Sequence, residues 1–459
     1  MSSTLKLSPR KNPSAILIPL GMTLALAILF ISSSCAPIES GPETIPGLIK
    51  VTETALPTVE IVAASETPAS ETPAPATPAL EDTATALPPS DTPTLTPSET
   101  PTASPEPPTL TPTATPVPWW QVYFVTPLKF GDKDETAYAT NGLPASIYTG
   151  SIVEKLVQRI DAAQTSIHIA SFETDLLEVT QALIRAQQRG VDVRWITDDE
   201  AGTAKDSQPG HGKFKLLTDA GIGVIDDKRG GLMHDKFWIF DSATVWTGST
   251  NVTVSGAIKQ NNNVIVIESP ELAAIYERQW ADMWSGKFNS KSPSTVDQQK
   301  LTIKDTNIQV LFSPEDKAIE KLIPYVQNAQ SSIYFMAFTY TQPQLGQAML
   351  QAAQRNVVVT GVFETLGSDS NYSQLKPLFC ANLPVRQDGN PEFLHHKVII
   401  IDERYVVTGS LNFTDNASQT NNENVIILDN PEIARLYLEE FQRVWQIAKN
   451  PDPVKIKCQ

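Results

Sequence analysis

Two short stretches of the sequence carry the same six polar or small residues at the same spacing, H-x-K-x4-D-x6-G-S-x-N. The first stretch supplies His234, Lys236, Asp241, Gly248, Ser249 and Asn251. The second stretch supplies His395, Lys397, Asp402, Gly409, Ser410 and Asn412. An apolar run follows each lysine directly, "FWIF" in the first stretch and "VIII" in the second. Each motif therefore predicts a histidine and a lysine at the start of a buried strand.

The residue types of the motif suit a phosphoryl group. Residues two apart in a strand share a face, so each histidine points to the same side as its lysine. The G-S-x-N turn then returns a hydroxyl and an amide beside them, and lysine, serine and asparagine are donors for phosphoryl oxygens. Imidazole can attack phosphorus or move a proton near neutral pH. We predict one shared phosphate pocket, with a histidine from each motif on either side of the phosphorus.

A solvated strand face is the alternative interpretation of a single His–Lys pair, but two motifs in register favour the pocket. We expect no metal and no cofactor, because lysine is a poor ligand and no further histidine or carboxylate falls at ligand spacing. Asp241 and Asp402 end the apolar runs, and an acid beside a phosphate would repel it. We therefore expect these two aspartates to be structural.

The elements that must position these residues are duplicated as well. "EKLVQRIDAAQTSIHIASF" from Glu154 matches "EKLIPYVQNAQSSIYFMAF" from Glu320. Each half alternates helices with strands, which predicts an α/β fold with a mostly parallel sheet covered on both faces. The halves are predicted at 119–290 and 300–450. Because one chain contains both half-sites, we expect a monomer.

The duplicated motif resembles the HKD signature of the phospholipase D superfamily, over about residues 122–449. The resemblance implies two pseudo-symmetric α-β-α sandwich halves with the active site at their interface. It also implies a metal-independent, two-step phosphodiesterase that works through a phosphohistidine. The residues to which it assigns catalysis or phosphate binding are His234, Lys236, Ser249, Asn251, His395, Lys397, Ser410 and Asn412.

Members of this superfamily often place a carboxylate 28 residues after the histidine to orient it. The second half has Glu423 at this position and the first half has Asn262. We expect Glu423 to orient His395, and Asn262 to orient His234; ordinary strand-start residues are the alternative. A carboxylate raises the pKa of a histidine, so His395 is predicted to be the general acid and His234 the nucleophile.

The N-terminus has the order of an export signal. Basic residues precede an apolar run from Ala15 to Ile31, and small residues and Cys35 follow. Residues 1–35 resemble a bacterial lipoprotein signal, which implies lipidation of Cys35; an uncleaved membrane anchor is the alternative. Both interpretations place the body outside the cytoplasm, anchored to a membrane.

Residues 36–118 differ sharply from the rest in composition. They hold 19 of the 36 prolines, mixed with Thr, Ser, Ala and Glu. Such a segment cannot bury enough apolar surface to fold, so we expect an extended tether. The tether carries a net charge of −10 and the signal +3, so the body from Trp119 carries −9 of the formal net charge of −16. An acidic body argues against non-specific binding to nucleic acid.

Other features allow two interpretations. Cys380 and Cys458 pair in an oxidising compartment or stay as thiols. The segment 129–150, which the second half lacks, is a lid or a surface insertion. We expect His168 to pack in its strand, His396 to turn away from His395, and His211 to lie in a solvated loop.

The motif residues do not choose a substrate. Membrane anchoring and the acidic body favour hydrolysis of phospholipid, or transfer of the phosphatidyl group, at a membrane surface. The alternatives are an exported nuclease and a cardiolipin synthase-like phosphatidyltransferase of the same superfamily. A binding protein without turnover would show a damaged motif, and both motifs are intact.

Overall fold

The structure, a computed structural model, describes residues 118–458. The predicted export signal with Cys35 and all but the last residue of the predicted tether lie outside the described residues. Within 118–458, no helix combines the length and the apolar character that crossing a bilayer requires.

The first half forms one seven-stranded sheet with six helices. Its strands are β1 (Trp120–Phe124), β2 (Ser166–Ser171), β3 (Asp192–Thr197), β4 (Gly223–Asp226), β5 (Lys236–Phe240), β6 (Thr244–Gly248) and β7 (Asn263–Glu268). Its helices are α1 (Asp132–Asn141), α2 (Ala145–Tyr148), α3 (Ile152–Ala162), α4 (Leu177–Gln188), α5 (Lys213–Asp219) and α6 (Pro270–Trp284).

The second half forms an eight-stranded sheet with six helices. Its strands are β8 (Lys300–Ile303), β9 (Thr306–Ser313), β10 (Ser332–Ala337), β11 (Val358–Phe363), β12 (Val385–Gln387), β13 (Lys397–Ile401), β14 (Tyr405–Gly409) and β15 (Glu423–Asp429). Its helices are α7 (Ala318–Gln327), α8 (Pro343–Gln354), α9 (Leu375–Cys380), α10 (Asp415–Gln419), α11 (Pro431–Ile447) and α12 (Pro453–Ile456).

The two sheets share one topology. The first has the order β1-β7-β6-β5-β2-β3-β4, and the second has the corresponding order with β8 added at the edge beside β9. Only β2-β3-β4 and β10-β11-β12 pair in parallel, and all other pairings are antiparallel. The expectation of a mostly parallel sheet is therefore wrong. Short turns join β5 to β6 and β13 to β14, and a short turn permits only antiparallel pairing.

Helices cover both faces of each sheet, which confirms the predicted sandwich of helices, sheet and helices. On one face of β2, the His168 ring stacks on Trp280 of α6 at 4.1 Å. On the other face, Ile167 belongs to a buried cluster with Leu156 of α3 and Leu183 of α4. Alternating residues of a strand thus serve two helical layers.

The two halves pack together through their last helices. Phe124 of β1 meets Tyr437 of α11 at 5.1 Å, and Phe312 of β9 meets Tyr276 of α6 at 5.4 Å. Each closing helix thus touches the sheet of the opposite half. This packing brings the starts of β5 and β13, and with them both His–Lys pairs, to the interface between the halves.

The structure bears on two features that the sequence left open, the cysteine pair and the segment 129–150. Cys380, at the end of α9, forms a disulfide with Cys458. The segment 129–150 holds α1 and α2, and Leu143 and Ile147 pack against the core of the first half. This part of the segment is therefore anchored as an extra layer on that half.

Candidate active site

The backbone that carries each histidine is hydrogen-bonded to the opposite half. The N–H of His234 donates to the carbonyl of Asn422 at 2.9 Å. The N–H of His395 donates to the carbonyl of Asn261 at 3.0 Å. Each histidine is therefore held beside the orienting position of the other half, because Glu423 follows Asn422 and Asn262 follows Asn261.

The orienting side chains consequently cross the interface. Glu423 Oε2 lies 2.7 Å from Nδ1 of His234, and Asn262 Oδ1 lies 2.9 Å from Nδ1 of His395. The expectation that each half orients its own histidine, Glu423 with His395 and Asn262 with His234, is wrong. The 28-residue spacing identified the right residues, but the docking of the halves exchanges their partners.

Hydrogen bonds from neighbouring side chains satisfy both carboxylate oxygens of Glu423. The hydroxyl of Ser410 donates to Oε2 at 2.6 Å, and the amide of Asn421 donates to Oε1 at 3.0 Å. The carboxylate is fully buried. It accepts the Nδ1 proton of His234 and leaves Nε2 of this ring for the substrate.

Asn262 is fixed in the same way. Its amide nitrogen donates to the carbonyl of Gly256 at 2.8 Å, so its oxygen must face the histidine. That oxygen accepts from the hydroxyl of Ser249 at 2.8 Å and from Nδ1 of His395. His395 therefore carries its proton at Nδ1 when it is neutral and also presents Nε2.

Each lysine is held beside its histidine. Nζ of Lys236 donates to the carbonyl of His234 at 3.0 Å, and Nζ of Lys397 donates to the carbonyl of His395 at 2.8 Å. All four side chains are buried. Each ammonium group is thereby fixed beside the backbone of its own histidine.

Two phenylalanines complete the half-sites, and the sequence analysis missed them. The Phe172 ring lies 5.0 Å from the His234 ring, and the Phe338 ring lies 4.7 Å from the His395 ring. Nζ of Lys236 and Nζ of Lys397 lie over these rings at 5.2 and 4.6 Å. The signal was present, since the repeated stretches "SIHIASF" and "SIYFMAF" both end in phenylalanine.

Burial disfavours the charged forms of the basic side chains in the site. Burial lowers the pKa of Lys236 to about 8, against the attraction of Glu423. Burial and the Lys236 charge hold the pKa of Lys397 well below its usual range. Burial, helped by both ammonium groups, holds the pKa of the His395 imidazole well below its usual value. Glu423 is the carboxylate that acts on both buried lysines, and Glu173, Asp198 and Asp235 also act on Lys236. A bound anion would stabilise the charged form of both lysines.

The predicted phosphate-binding serines have other partners here. Their hydroxyls donate to the groups that orient the histidines, Ser249 to Asn262 and Ser410 to Glu423. Donation to a phosphate would require these protons to turn away from those acceptors. Phosphate binding by the serines therefore stays a prediction.

The predicted phosphate-binding asparagines differ between the halves. Asn251 donates to Oε1 of Glu173 at 2.9 Å, which leaves it one further N–H. Lys205 lies 3.6 Å from the other oxygen of Glu173. Thr339 is the counterpart of Glu173 in the second half, and its carbonyl accepts from the N–H of Phe413, the residue after Asn412, at 3.0 Å. The first half-site thus has a carboxylate, Glu173, that the sequence analysis missed. The signal was a difference between the two repeated stretches, which have glutamate at this position in the first half and threonine in the second.

The motif aspartates lie at the far ends of β5 and β13 from the lysines. Oδ1 of Asp241 accepts from the backbone N–H groups of Thr165 and Ser166 at 2.6 and 3.1 Å. Oδ1 of Asp402 accepts from those of Ser331 and Ser332 at 2.7 and 3.1 Å. Partial burial raises the pKa of each carboxyl, but the backbone donors outweigh burial and lower it. Both aspartates tie a strand end to the start of a neighbouring strand.

The remaining histidines lie apart from the two motif rings. Nδ1 of His168 lies 2.8 Å from Glu277, within its packed strand. His396 faces away from the pocket and lies 2.9 Å from Glu440 of α11. His211 follows Gly210 in the loop before α5, and burial lowers its pKa.

One group of carboxylates in the described part of the chain has the spacing of a metal site. The ligand atoms of Asp198, Asp199 and Asp227 lie within 4.8 Å of one another. Asp198 already accepts from the backbone N–H groups of Ala201 and Met233, at 2.7 and 3.0 Å. Asp227 lies 2.9 Å from the Arg229 guanidinium. The protein itself thus satisfies most of this group.

Comparison with known proteins identifies the family. A family model described as "Cardiolipin synthase, PLD-like domain" matches residues 156–284 and 322–445, more than half of the chain. The chain belongs to the phospholipase D superfamily. Both matched ranges fall within the two halves described above, so the superfamily assignment covers both half-sites.

Individual relatives of this phospholipase D-like chain match about a third of it. The human mitochondrial cardiolipin hydrolase is 40% identical over 131 residues, which are 28% of this chain and 52% of that protein. This chain thus spans about half the length of that relative. A phospholipase D of Rickettsia prowazekii is 32% identical over 159 residues, 34% of this chain and 78% of the relative.

Solved structures also resemble this chain. The phospholipase D family member Nuc from Salmonella typhimurium is 33% identical, with a TM-score of 0.31, and covers 32% of this chain and 98% of its own. The phosphatidylserine synthase of Haemophilus influenzae is 16% identical, with a TM-score of 0.49, and covers 65% of this chain and 84% of its own.

Proposed function

We propose that this protein is a phospholipase D-type phosphodiesterase that hydrolyses phospholipids, or transfers their phosphatidyl group, through a phosphohistidine. The observation that carries the proposal is the buried cluster of two histidines and two lysines beside Glu423, the carboxylate that acts on both lysines. Such a cluster binds one phosphodiester anion and presents an Nε2 atom from each half. The names of the matched cardiolipin hydrolase and phospholipase D favour a lipid substrate.

His234 is the nucleophile in this proposal. Glu423 holds the proton on Nδ1, so the Nε2 lone pair is free to attack phosphorus. Burial also lowers the pKa of His234, against the pull of Glu423, which keeps the ring neutral before attack. The same carboxylate then compensates the positive charge of the phosphorylated ring. The predicted role of His234 is retained, but for a different reason.

His395 is the general acid. Its Nδ1 partner Asn262 is uncharged, so the pKa of His395 stays low until an anionic phosphate binds beside it. As the Nε2 atom of His234 bonds to phosphorus, the bond to the leaving oxygen breaks, and His395 gives that oxygen its proton. His395 then takes a proton from water or an acceptor alcohol, whose oxygen displaces His234.

The test compares phosphatidylcholine, phosphatidylglycerol, cardiolipin and single-stranded DNA as substrates of the purified protein. We expect release of a head group from at least one lipid, together with acid-labile phosphate on His234 in trapped enzyme. Cleavage of DNA but of no lipid would make the protein a nuclease of the same superfamily. Turnover of none of them would contradict the proposal.

The location outside the cytoplasm, on a membrane, is part of the proposal and rests on the predicted signal. Lipidation of Cys35 would hold the body beside its substrate. We expect Cys35→Ser to release the protein from membranes while activity on micellar lipid persists. A Cys35→Ser protein that stays bound would indicate an uncleaved anchor.

A further inference from the structure

The loop 364–374 of the second half holds two large apolar side chains in solvent. Leu366 is 71% exposed and Tyr372 is 80% exposed. Single exposed apolar residues are common on proteins and need no explanation. Here two of the three most exposed large apolar side chains in the described part of the chain fall in one loop; the third is Val454, at 75%.

Both ends of this loop are tied to the active site. It starts at Glu364, whose Oε2 accepts from the backbone N–H of Leu394, the residue before His395, at 2.6 Å. It ends at Gln374, whose N–H donates to the carbonyl of Tyr340 at 2.9 Å. Tyr340 lies two residues beyond Phe338, the ring that packs on His395. The loop therefore leaves the sheet at the edge where His395 lies.

Internal hydrogen bonds keep the loop in shape. The N–H of Leu366 donates to Oε1 of Glu364 at 2.8 Å. The Glu364 carboxylate therefore accepts from the backbone of both Leu366 and Leu394. The hydroxyl of Thr365 donates to the carbonyl of Asp388 at 2.9 Å, and Gln387 donates to Ser368 at 2.8 Å. The exposure of the apolar side chains is thus set by the fold.

The corresponding loop of the first half has a different character. Residues 198–212, which follow β3 as 364–374 follow β11, contain no exposed large apolar side chain. Lys205 of this loop faces Glu173 at the edge of the site. Of the two loops, only 364–374 carries exposed large apolar side chains, although Leu216 in α5 of the first half is 43% exposed. This loop lies on the side of His395, which acts on the leaving head group in the proposed mechanism.

We propose that Leu366 and Tyr372 form a membrane-docking patch that enters the surface of a phospholipid bilayer and brings the site to the head groups. The inference rests on the proposed lipid function. Leucine is stabilised by burial among acyl chains, and tyrosine suits the interface because its ring is apolar and its hydroxyl polar. Asp369 is the charged residue between them, so anionic lipid and low salt do not drive this docking.

The test uses the full-length protein and the double variant Leu366→Ser/Tyr372→Ser. Val454→Ser is the matched control, because Val454 is equally exposed near the C-terminus. Each protein is assayed on vesicles of phosphatidylcholine and phosphatidylglycerol, on short-chain monomeric forms of these lipids, and on bis(p-nitrophenyl) phosphate. All variants keep the same N-terminal segment, so differences between them arise from the patch.

We expect the double variant to lose about tenfold or more in rate on vesicles, at low and at high salt. Its rates on the monomeric lipids and on the nitrophenyl diester should stay within about twofold of those of the unmodified protein. Equal losses on all three substrates, or no loss on vesicles, would overturn the docking patch alone. An unmodified protein that cleaves the diester but neither form of lipid would overturn the lipid function, and the patch with it.

Discussion

At the scale of single residues, the two histidines are equivalent in sequence but not in environment. Glu423 gives His234 a charged partner, whereas Asn262 gives His395 a neutral one. The half that supplies the motif does not supply the orienting residue. The two half-sites therefore form a single asymmetric site, in which each half lacks an orienting residue that the other half provides.

The roles of the histidines can be separated with a leaving group that needs no proton. On bis(p-nitrophenyl) phosphate, His395→Ala should keep part of the activity that it loses on lipid, because nitrophenolate departs unprotonated. His234→Ala should lose on the order of 10⁴-fold on both substrates, since it removes the nucleophile. The reverse pattern, or phosphate trapped on His395, would exchange the roles.

The activity should fall on the alkaline side. The ammonium of Lys236 favours the bound phosphate only while it is charged, and burial lowers its pKa to about 8. Because the charged form exists below the pKa, kcat/KM should decline as the pH rises through about 8. The measurement is a pH profile of kcat/KM between pH 6 and 10. A rate that stays level up to pH 9.5 would contradict a binding role for this lysine.

At the scale of elements, the strand that begins at each motif lysine has two functions. Its first residue belongs to the site, and the aspartate at its far end fastens the strand to a neighbouring connection. Asp241 joins β5 to the start of β2, and Asp402 joins β13 to the start of β10. The third member of the motif thus stabilises the strands that carry the first two.

Loss of one of these aspartates should affect stability and spare chemistry. Asp241→Ala leaves the backbone N–H groups of Thr165 and Ser166 without their carboxylate, which should lower the free energy of unfolding by about 1–3 kcal/mol. Urea unfolding measures this change, and Asp402→Ala is the matched variant in the other half. A large fall in kcat at unchanged stability would show that the aspartate belongs to the site.

At the scale of the whole molecule, the two halves contact each other in three ways: through their closing helices, through backbone hydrogen bonds and through the side chains that orient the histidines. Phe124 packs on α11 of the opposite half, the His234 backbone pairs with Asn422, and Glu423 reaches His234. Because one chain supplies both half-sites, we expect turnover without a second copy of the protein; this expectation stays a prediction.

The chemistry of the site predicts turnover without a metal. The side chains that contact the two histidine rings are Glu423, Asn262 and two phenylalanines, and the protein itself satisfies most of the Asp198–Asp199–Asp227 group. Rates in EDTA should stay within about twofold of those in buffer. Loss of activity in EDTA that a divalent ion restores would contradict this prediction and direct attention to these aspartates.

The sequence by itself determined the parts of the protein that depend on local spacing. The spacing of two residues places each motif histidine just before the strand that its lysine begins, and the duplicated halves follow from matching stretches. His396 turns away from His395 because neighbouring residues of an extended chain point to opposite sides. These inferences need only the geometry of one strand, so they hold without knowledge of the tertiary fold.

Only the tertiary structure decided which half completes which histidine. Glu423 and His234 are 189 residues apart, and no local rule connects them. The disulfide between Cys380 and Cys458 and the mainly antiparallel sheets were decided in the same way. Such contacts depend on how distant segments dock, and docking follows from the burial of whole helix and sheet faces, which residue spacing does not specify.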